Sequence, residues 1–307
     1  MEGAGWGTPL VIHGLCIVKN EADVIAQTLR AASRWCDHIY VFDNGSDDGT
    51  WQIVLDLARE LPAVVPFKTD SKPFTDSLRD EILCHYRSRA RSGDWWAIID
   101  ADEFMIDDPR AFLARVPQRF RAVWPQLYAY LFTDIDADCC RRDPRRFAPE
   151  VPLEERLHHY VLGEYSELRF FRHDPALKEI PADIRPIYPD RIRLRHYGYR
   201  SPDQISIRLK TRREPMARGE FVHEKRSNWF PGGDAAAGPA TAADLPRGWE
   251  ERIVDHHECL IDRGLDSLMP PLPWTPPEGM ARHGHGGLVG GGLRSVIGRI
   301  LHFAEMA

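Results

Sequence analysis

The chain is predicted to be an α/β protein built on a mainly parallel sheet, and three observations predict it. Apolar runs of strand length alternate with helical stretches through the first hundred residues, the pattern of strand–helix–strand units. Those runs are nearly continuous in hydrophobic residues rather than alternating, as strands covered on both faces are. Each run also ends in polar, carboxylate-bearing residues, and in parallel sheets ligands bind at the carboxyl ends of the strands.

Taken in order, Leu10 to Val18 is the first strand, and Lys19-Asn20-Glu21-Ala22-Asp23 is the polar turn after it. The helix that follows places Val24, Ile25, Thr28, Leu29 and Ala32 on one side. His38 to Phe42 is the second strand, closed by Asp43-Asn44-Gly45-Ser46-Asp47-Asp48-Gly49-Thr50, a loop rich in Asx and glycine turn residues. A helix is expected from about Thr50 to Arg59, a short third strand at Val64 to Phe67, and another helix from Thr75 to about Arg91. Trp95 to Ile99 is the fourth strand, and Asp100-Ala101-Asp102-Glu103-Phe104 follows it.

Asp100 and Asp102 are one residue apart, so on an extended chain both side chains leave the same face. Two carboxylates at the open end of an α/β sheet suit a hard divalent cation, Mg²⁺ or Mn²⁺, shared with a phosphate. Aspartate is also a common turn residue, and alone the pair reads equally as an acidic turn.

Composition limits the remaining choices. The chain has 307 residues, 43% of them hydrophobic, which is ample for a core. A net charge of −6 excludes the basic footprint expected of a nucleic-acid partner. No run reaches the roughly 18 apolar residues of a membrane span, and Met1 to Gly5 lacks the basic start of a signal peptide. The six cysteines are scattered with no C-x-x-C pair, and read as thiols in a reducing compartment. The expected location is the cytoplasm.

Val18-Lys19-Asn20-Glu21-Ala22, then Val41-Phe42-Asp43-Asn44-Gly45-Ser46-Asp47-Asp48-Gly49-Thr50, then Gly93-Asp94-Trp95-Trp96 leading to Asp100-Ala101-Asp102-Glu103, form an ordered set. That set resembles the family 2 glycosyltransferases, in particular a bacterial subgroup with V-K-N-E and D-N-G-S-x-D-G-T motifs. The resemblance covers residues 10 to about 105 and continues more loosely to about 215. It implies a GT-A fold, with a Rossmann-like nucleotide-binding half and a mixed-sheet acceptor half. It also implies inverting transfer of a sugar from a nucleoside-diphosphate donor to a glycan or other hydroxyl acceptor, as in polysaccharide synthesis.

Carried over by position, the resemblance gives Asp43 the contact to the nucleotide base and Asn20 and Glu21 the lining of base and ribose. Arg79 falls where the family often has a basic residue near the diphosphate, although a solvated helix face is an equal reading for it, as turn formation is for Asp48. Asp100 takes the position near ribose and metal, and Asp102 the direct metal ligand. A late histidine on the metal corresponds to His196, at the end of the Arg191–Tyr199 strand; its alternative is a satisfied polar group at a strand end. Gln204 and Arg208 loosely match an element that contacts donor phosphates or acceptor. The catalytic base is sought among Asp134, Asp136, Glu164 and Glu167, with Glu167 chosen and Asp134 next. A carboxylate is needed there because a sugar hydroxyl must lose its proton as it attacks.

In the second half, Arg119–Trp124 and Gln126–Phe132 read as aromatic-rich strands, Cys139 to about Arg156 as a mobile loop, and Arg169–Arg172 as a further strand. The expected organisation is a catalytic domain over 1–230, divided near 105 into donor and acceptor halves, and a tail over 231–307. Within the tail, 231–240 reads as a linker and 248–264 as a helix carrying His256-His257-Glu258-Cys259, taken as structural because adjacent residues on a helix face apart. Leu288–Phe303 reads as an amphipathic helix able to touch a membrane surface. Two further readings stand beside the transferase: a nucleotide-sugar binder without catalysis, and a phosphohydrolase or nucleotidyltransferase using the same carboxylates.

Overall fold

The computed structural model of the chain describes residues 10–75, 77–163, 168–180, 184–217 and 246–275, the side chains of 214–216 excepted. In chain order the strands are β1 (Ile12–Val18), β2 (His38–Asp43), β3 (Val64–Thr69), β4 (Trp95–Ile99), β5 (Glu103–Met105), β6 (Ala122–Val123), β7 (Pro125–Tyr130), β8 (His159–Gly163), β9 (Phe170–Arg172), β10 (Ile192–His196) and β11 (Leu260–Ile261). The helices are α1 (Ile25–Ala32), α2 (Thr50–Glu60), α3 (Leu78–Tyr86), α4 (Pro109–Ala114), α5 (Asp134–Arg142), α6 (Leu153–Arg156) and α7 (Pro202–Ala217). The expected α/β class with a mainly parallel sheet is borne out. The described residues belong to two compact units. The first takes the described residues within 10–126, 168–196 and 271–275, the second those within 127–163, 197–217 and 246–270.

The first unit is organised by a six-stranded sheet in the order β3-β2-β1-β4-β9-β6. β1, β2, β3 and β4 run parallel, and β9 joins β4 antiparallel. Every residue of β1 and β4 is buried, which accounts for their unbroken apolar sequence. The chain moves outward from β1 to β3 and then returns to β4 on the other side of β1. The order therefore reverses between β1 and β4, and the loops after these two strands flank the crevice where such sheets take ligands. One sheet face rests on a core of Leu15, Tyr40, Phe42, Ile82, Leu83, Trp96 and Phe171. α1 turns Ile25, Thr28, Leu29 and Ala32 inward, the stripe its sequence predicts. β5 and β10 form an antiparallel pair in which His196 lies opposite Glu103.

In the second unit β7 pairs with β8, and β8 with β11, all antiparallel. Two expectations fail here. The stretch from Cys139 is not an open loop, because α5 runs through Arg142 and a 3₁₀ turn and α6 follow. Thr133 and Asp136 form a reciprocal capping box that starts α5, with Asp134 and Asp136 in its first turn and Arg141 and Arg142 in its last, the charge order a helix dipole favours.

The second failure concerns 248–264, which is two 3₁₀ turns and the short β11 rather than a helix. Residues 246–275 are also built into the fold, not appended to it. Arg252 is fully buried, Val254 and Leu268 are buried, and Trp274 stacks near Trp124 with ring centroids 5.7 Å apart. The 231–240 linker and the Leu288–Phe303 helix lie outside the described residues. Among the described residues, no helix is long and apolar enough to cross a membrane. Cys16 and Cys36 are buried, whereas Cys84 is exposed, and all six thiols are free.

Candidate functional site

The loops after β1 and β2 are laced together. Asn20 takes a left-handed conformation at φ 54°, an uncommon choice outside glycine that asparagine tolerates. That turn lets its backbone N–H donate to Ser46 Oγ (2.9 Å) while its side-chain Oδ1 accepts from the Asp47 N–H (2.9 Å). The Glu21 N–H donates to Thr50 Oγ1 (2.9 Å) and the Ala22 N–H to Asp48 Oδ2 (3.0 Å). Lys19 closes the seam by donating to the carbonyls of Asn44 (2.8 Å) and Gly45 (3.1 Å). V-K-N-E and D-N-G-S-x-D-G-T are thus two halves of one loop assembly.

Within that assembly Asp43 and Asp48 are builders. Asp43 is 0% exposed, and its carboxylate accepts from the Ser46 N–H (2.8 Å) and Thr69 Oγ1 (3.2 Å). The Asp43 carboxylate is therefore engaged by its own loop and by β3. Asp48 accepts from the Thr50 N–H (2.9 Å) and hydroxyl (2.5 Å), so turn formation is the reading realised.

The turn after β4 carries the charged centre. Strand geometry ends at Ile99, so Asp100 and Asp102 sit in the turn between β4 and β5 rather than on one strand face. The turn is pinned to α1, where the Thr28 hydroxyl donates to the Ala101 carbonyl. Asp100 is gripped by two arginines, Arg79 from α3 and Arg169 just before β9, the latter at 3.1 Å. Arg169 also takes Glu103 in a two-pronged contact, Nε to Oε2 at 2.8 Å and Nη2 to Oε1 at 2.6 Å. Arg79 is buried in this network, so it is no solvated helix face.

The electrostatics follow from the partners. Burial works to raise the Asp100 carboxyl, but Arg79 and Arg169 outweigh it and hold it below the usual range. Burial, with the Asp100 charge beside it, pushes Glu103 up to about 7 against the opposing pull of Arg169 and His196.

Asp102 faces the other way, toward β10. Its Oδ2 lies 3.4 Å from His196 Nε2, with the two side chains 10% and 29% exposed. The β5–β10 pairing brings them together, because His196 stands across from the residue next to Asp102. A carboxylate oxygen and an imidazole nitrogen this close, with an open side, form a donor set that Mn²⁺ or Mg²⁺ accepts alongside water and phosphate oxygens.

No protein-family model matches the chain, and no curated protein matches it. Solved structures similar to it include TarS of S. aureus in complex with UDP. That match has 15% identity and a TM-score of 0.28, and covers 40% of this chain and 36% of TarS. A mannosyltransferase from Pyrobaculum calidifontis in complex with GDP-Man and Mn²⁺ aligns at 13% identity and a TM-score of 0.38, covering 68% of this chain and 63% of its own. Glucosyl-3-phosphoglycerate synthase from Mycobacterium tuberculosis aligns at 16% and a TM-score of 0.27, covering 53% and 56%. The chain spans little more than a third of the TarS chain it matches. Scores this low carry no weight for function.

The remaining expected residues are dispersed. Gln204 is spent locally, accepting from the Arg200 N–H (3.0 Å) and donating to the Gly198 carbonyl (3.2 Å). Arg208 lies over the Tyr199 ring. Asp136 is the capping-box carboxylate, and Asp134 is bonded by the backbone and ring of His256. Glu164 and Glu167 lie outside the described residues. Arg169 and Glu103 escaped the sequence reading as site residues. Glu103 stood next to the D-x-D pair, but Arg169 is some seventy positions downstream and only the β4–β9 pairing brings it in.

Proposed function

We propose that the chain is a metal-dependent glycosyltransferase of GT-A type, moving a sugar from a nucleoside-diphosphate donor to a hydroxyl acceptor with inversion. The observation that carries this reading is the Asp102–His196 pair beside the Arg79–Asp100–Arg169 network, both at the crevice between β1 and β4. The laced β1 and β2 loops supply a nearby wall, and the ordered family motifs fall on these same three loops.

In this reading Asn20 and Glu21 line the nucleoside, with Asp43 and Asp48 holding the shape of their loop. Asp102 and His196 hold the divalent cation, with Asp100 beside them. The cation, when bound, supplies Lewis-acid stabilisation of the leaving diphosphate, worth several kcal/mol. Arg79 and Arg169 add fixed positive charge where negative charge builds as the sugar leaves. That charge costs no reorganisation, because Asp100 and Glu103 already hold both guanidinium groups in place. Glu167 takes the proton of the attacking hydroxyl. Asp134, the second choice, has its carboxylate engaged by His256.

A phosphohydrolase using the first aspartate as nucleophile is disfavoured, because Asp100 is clamped between two arginines. The test is a thermal-shift series of nucleoside diphosphates with and without Mn²⁺. One diphosphate should raise the melting temperature in a metal-dependent way, and Asp102→Asn should remove most of that increment. An unchanged increment in Asp102→Asn would overturn the assignment. Glu167→Gln should then spare nucleotide affinity and cut transfer by roughly 10²-fold or more.

A further inference from the structure

His256-His257-Glu258-Cys259, set aside on sequence grounds, takes on a different meaning in the second unit. The segment that carries it is held at both ends. Before it, the Val254 N–H donates to the Phe132 carbonyl (3.1 Å) and the Asp134 N–H to the Val254 carbonyl (3.0 Å), fixing it beside the start of α5. After it, β11 pairs with β8 through Leu260↔Tyr160 and Ile261↔His159, and the Asp262 N–H donates to the His158 carbonyl (2.7 Å). The residues between are a 3₁₀ turn rather than the expected α-helix, and within it the His256 and His257 rings lie side by side.

That turn gathers metal-binding atoms. Asp255, His256 and His257 each offer one ligand atom, and these atoms lie within 4.8 Å of one another. The two imidazole rings are 3.9 Å apart. His256 Nδ1 lies 3.0 Å from each oxygen of Asp134. A carboxylate on Nδ1 places the ring proton there and leaves the lone pair on Nε2, the arrangement by which carboxylates orient metal-binding histidines. A third imidazole stands behind. His159 is 8% exposed, its ring centroid is 5.9 Å from that of His256, and its Nδ1 has no hydrogen-bond partner among the described residues.

We propose that Asp255, His256 and His257 form a second cation site, for Zn²⁺ or a similar borderline transition ion, with Asp134 orienting His256. Imidazoles with one carboxylate favour such ions over Mg²⁺ or Ca²⁺, which prefer all-oxygen sets. The ion would fix the 255–257 turn and, through His256, its bond to Asp134 at the start of α5, apart in kind from the Asp102–His196 pair. Capping alone explains Asp255, which accepts from the His257 N–H at 3.0 Å, and Asp134. It gives the His257 ring no task, and that ring discriminates the two readings.

The test is a calorimetric Zn²⁺ titration of the metal-stripped full chain without nucleotide, repeated with Co²⁺ and read by its visible absorption. Wild type should show saturable binding and a Zn²⁺-dependent rise in melting temperature. His257→Ala and Asp255→Asn should each weaken binding by about tenfold or more, and His257→Ala should remove the rise. Asp102→Asn and the pair His283→Ala with His285→Ala should leave the His257-dependent binding event unchanged, which separates this site from the donor site and from the histidines near the C-terminus. Absence of saturable binding, equal affinity in His257→Ala, or loss of binding in either control would overturn the proposal.

Discussion

Arg169 holds Glu103 through two parallel hydrogen bonds, at 2.8 Å and 2.6 Å, with both side chains more than nine-tenths buried. A guanidinium makes such a fork and an ammonium does not. Arg169→Lys keeps the charge but strips one prong and the Asp100 contact, leaving buried acceptor oxygens unmet. The expected loss is about 1–3 kcal/mol, and Arg169→Ala should cost about 3–5 kcal/mol, because it leaves buried carboxylates uncompensated. Urea unfolding measures both. Arg169→Lys as stable as wild type would show that the fork does not organise the turn.

Gly45 offers a sharper local test. It adopts φ +72°, and a Cβ there would lie 2.6 Å from Ser71 Cβ and 2.9 Å from Ser71 Cα. Gly49, at φ +96°, has nothing within 4 Å of such a Cβ. Gly49→Ala should therefore cost only the left-handed backbone penalty of about 1–2 kcal/mol. Gly45→Ala should cost clearly more, since backbone must also move, and it should loosen the Lys19 seam. Thermal unfolding of the two variants side by side checks the order.

The four parallel strands were legible in the sequence because their burial on both faces writes itself as unbroken apolar runs. Asp100 and Asp102 were legible because chain order alone puts them at a strand end. The partners of these residues were not. Arg169 and His196 reach the site through antiparallel pairings of β9 with β4 and β10 with β5, and nothing local in sequence encodes which strands pair. Asp43 shows the opposite limit. Its position at the end of β2 was legible, but a hydrogen-bonding role inside a turn and a ligand contact ask for the same residue type. The α5 stretch was missed because charge and cysteine content masked the capping box at Thr133 and Asp136.

Acid should weaken the protein through His13. It is buried in the first unit among His38, Tyr40 and Trp96, with Nε2 3.7 Å from Asp94. Burial first, and then the charge of His38, lower its pKa to about 4, against the opposing pull of Asp94 and Asp37. The folded state thus keeps His13 neutral where the unfolded chain, titrating near 6.5, takes up a proton. The unfolded state binds more protons between these values, so stability falls as pH drops from about 6.5 toward 4. Tenfold in proton affinity is worth about 1.4 kcal/mol, which makes the full effect roughly 3 kcal/mol. His13→Gln should flatten that part of the stability–pH curve; a curve of unchanged slope would assign the acid sensitivity elsewhere.

Truncation distinguishes a tail from a part of the fold. In the first unit, the Leu272 N–H donates to Gln126 Oε1 (3.2 Å), Arg191 donates to the Leu272 carbonyl (2.9 Å), and Trp274 lies near Trp124. In the second, Tyr160 Oη accepts from the Met269 N–H (3.0 Å), β11 completes the β8 edge, and Arg252 and Val254 are buried. Ending the chain at residue 245 removes all of these together, strips a paired edge from β8, and exposes apolar surface around Trp124 and Ala129. Each large side chain so uncovered costs on the order of 1.5–3 kcal/mol, and several such losses approach the whole stability of a domain. The expected outcome is insoluble or protease-sensitive protein, whereas a chain ended after Thr275 keeps every contact named here. Limited proteolysis and soluble yield of the two truncations decide the matter, and equal behaviour would show that residues 246–275 contribute little to folding.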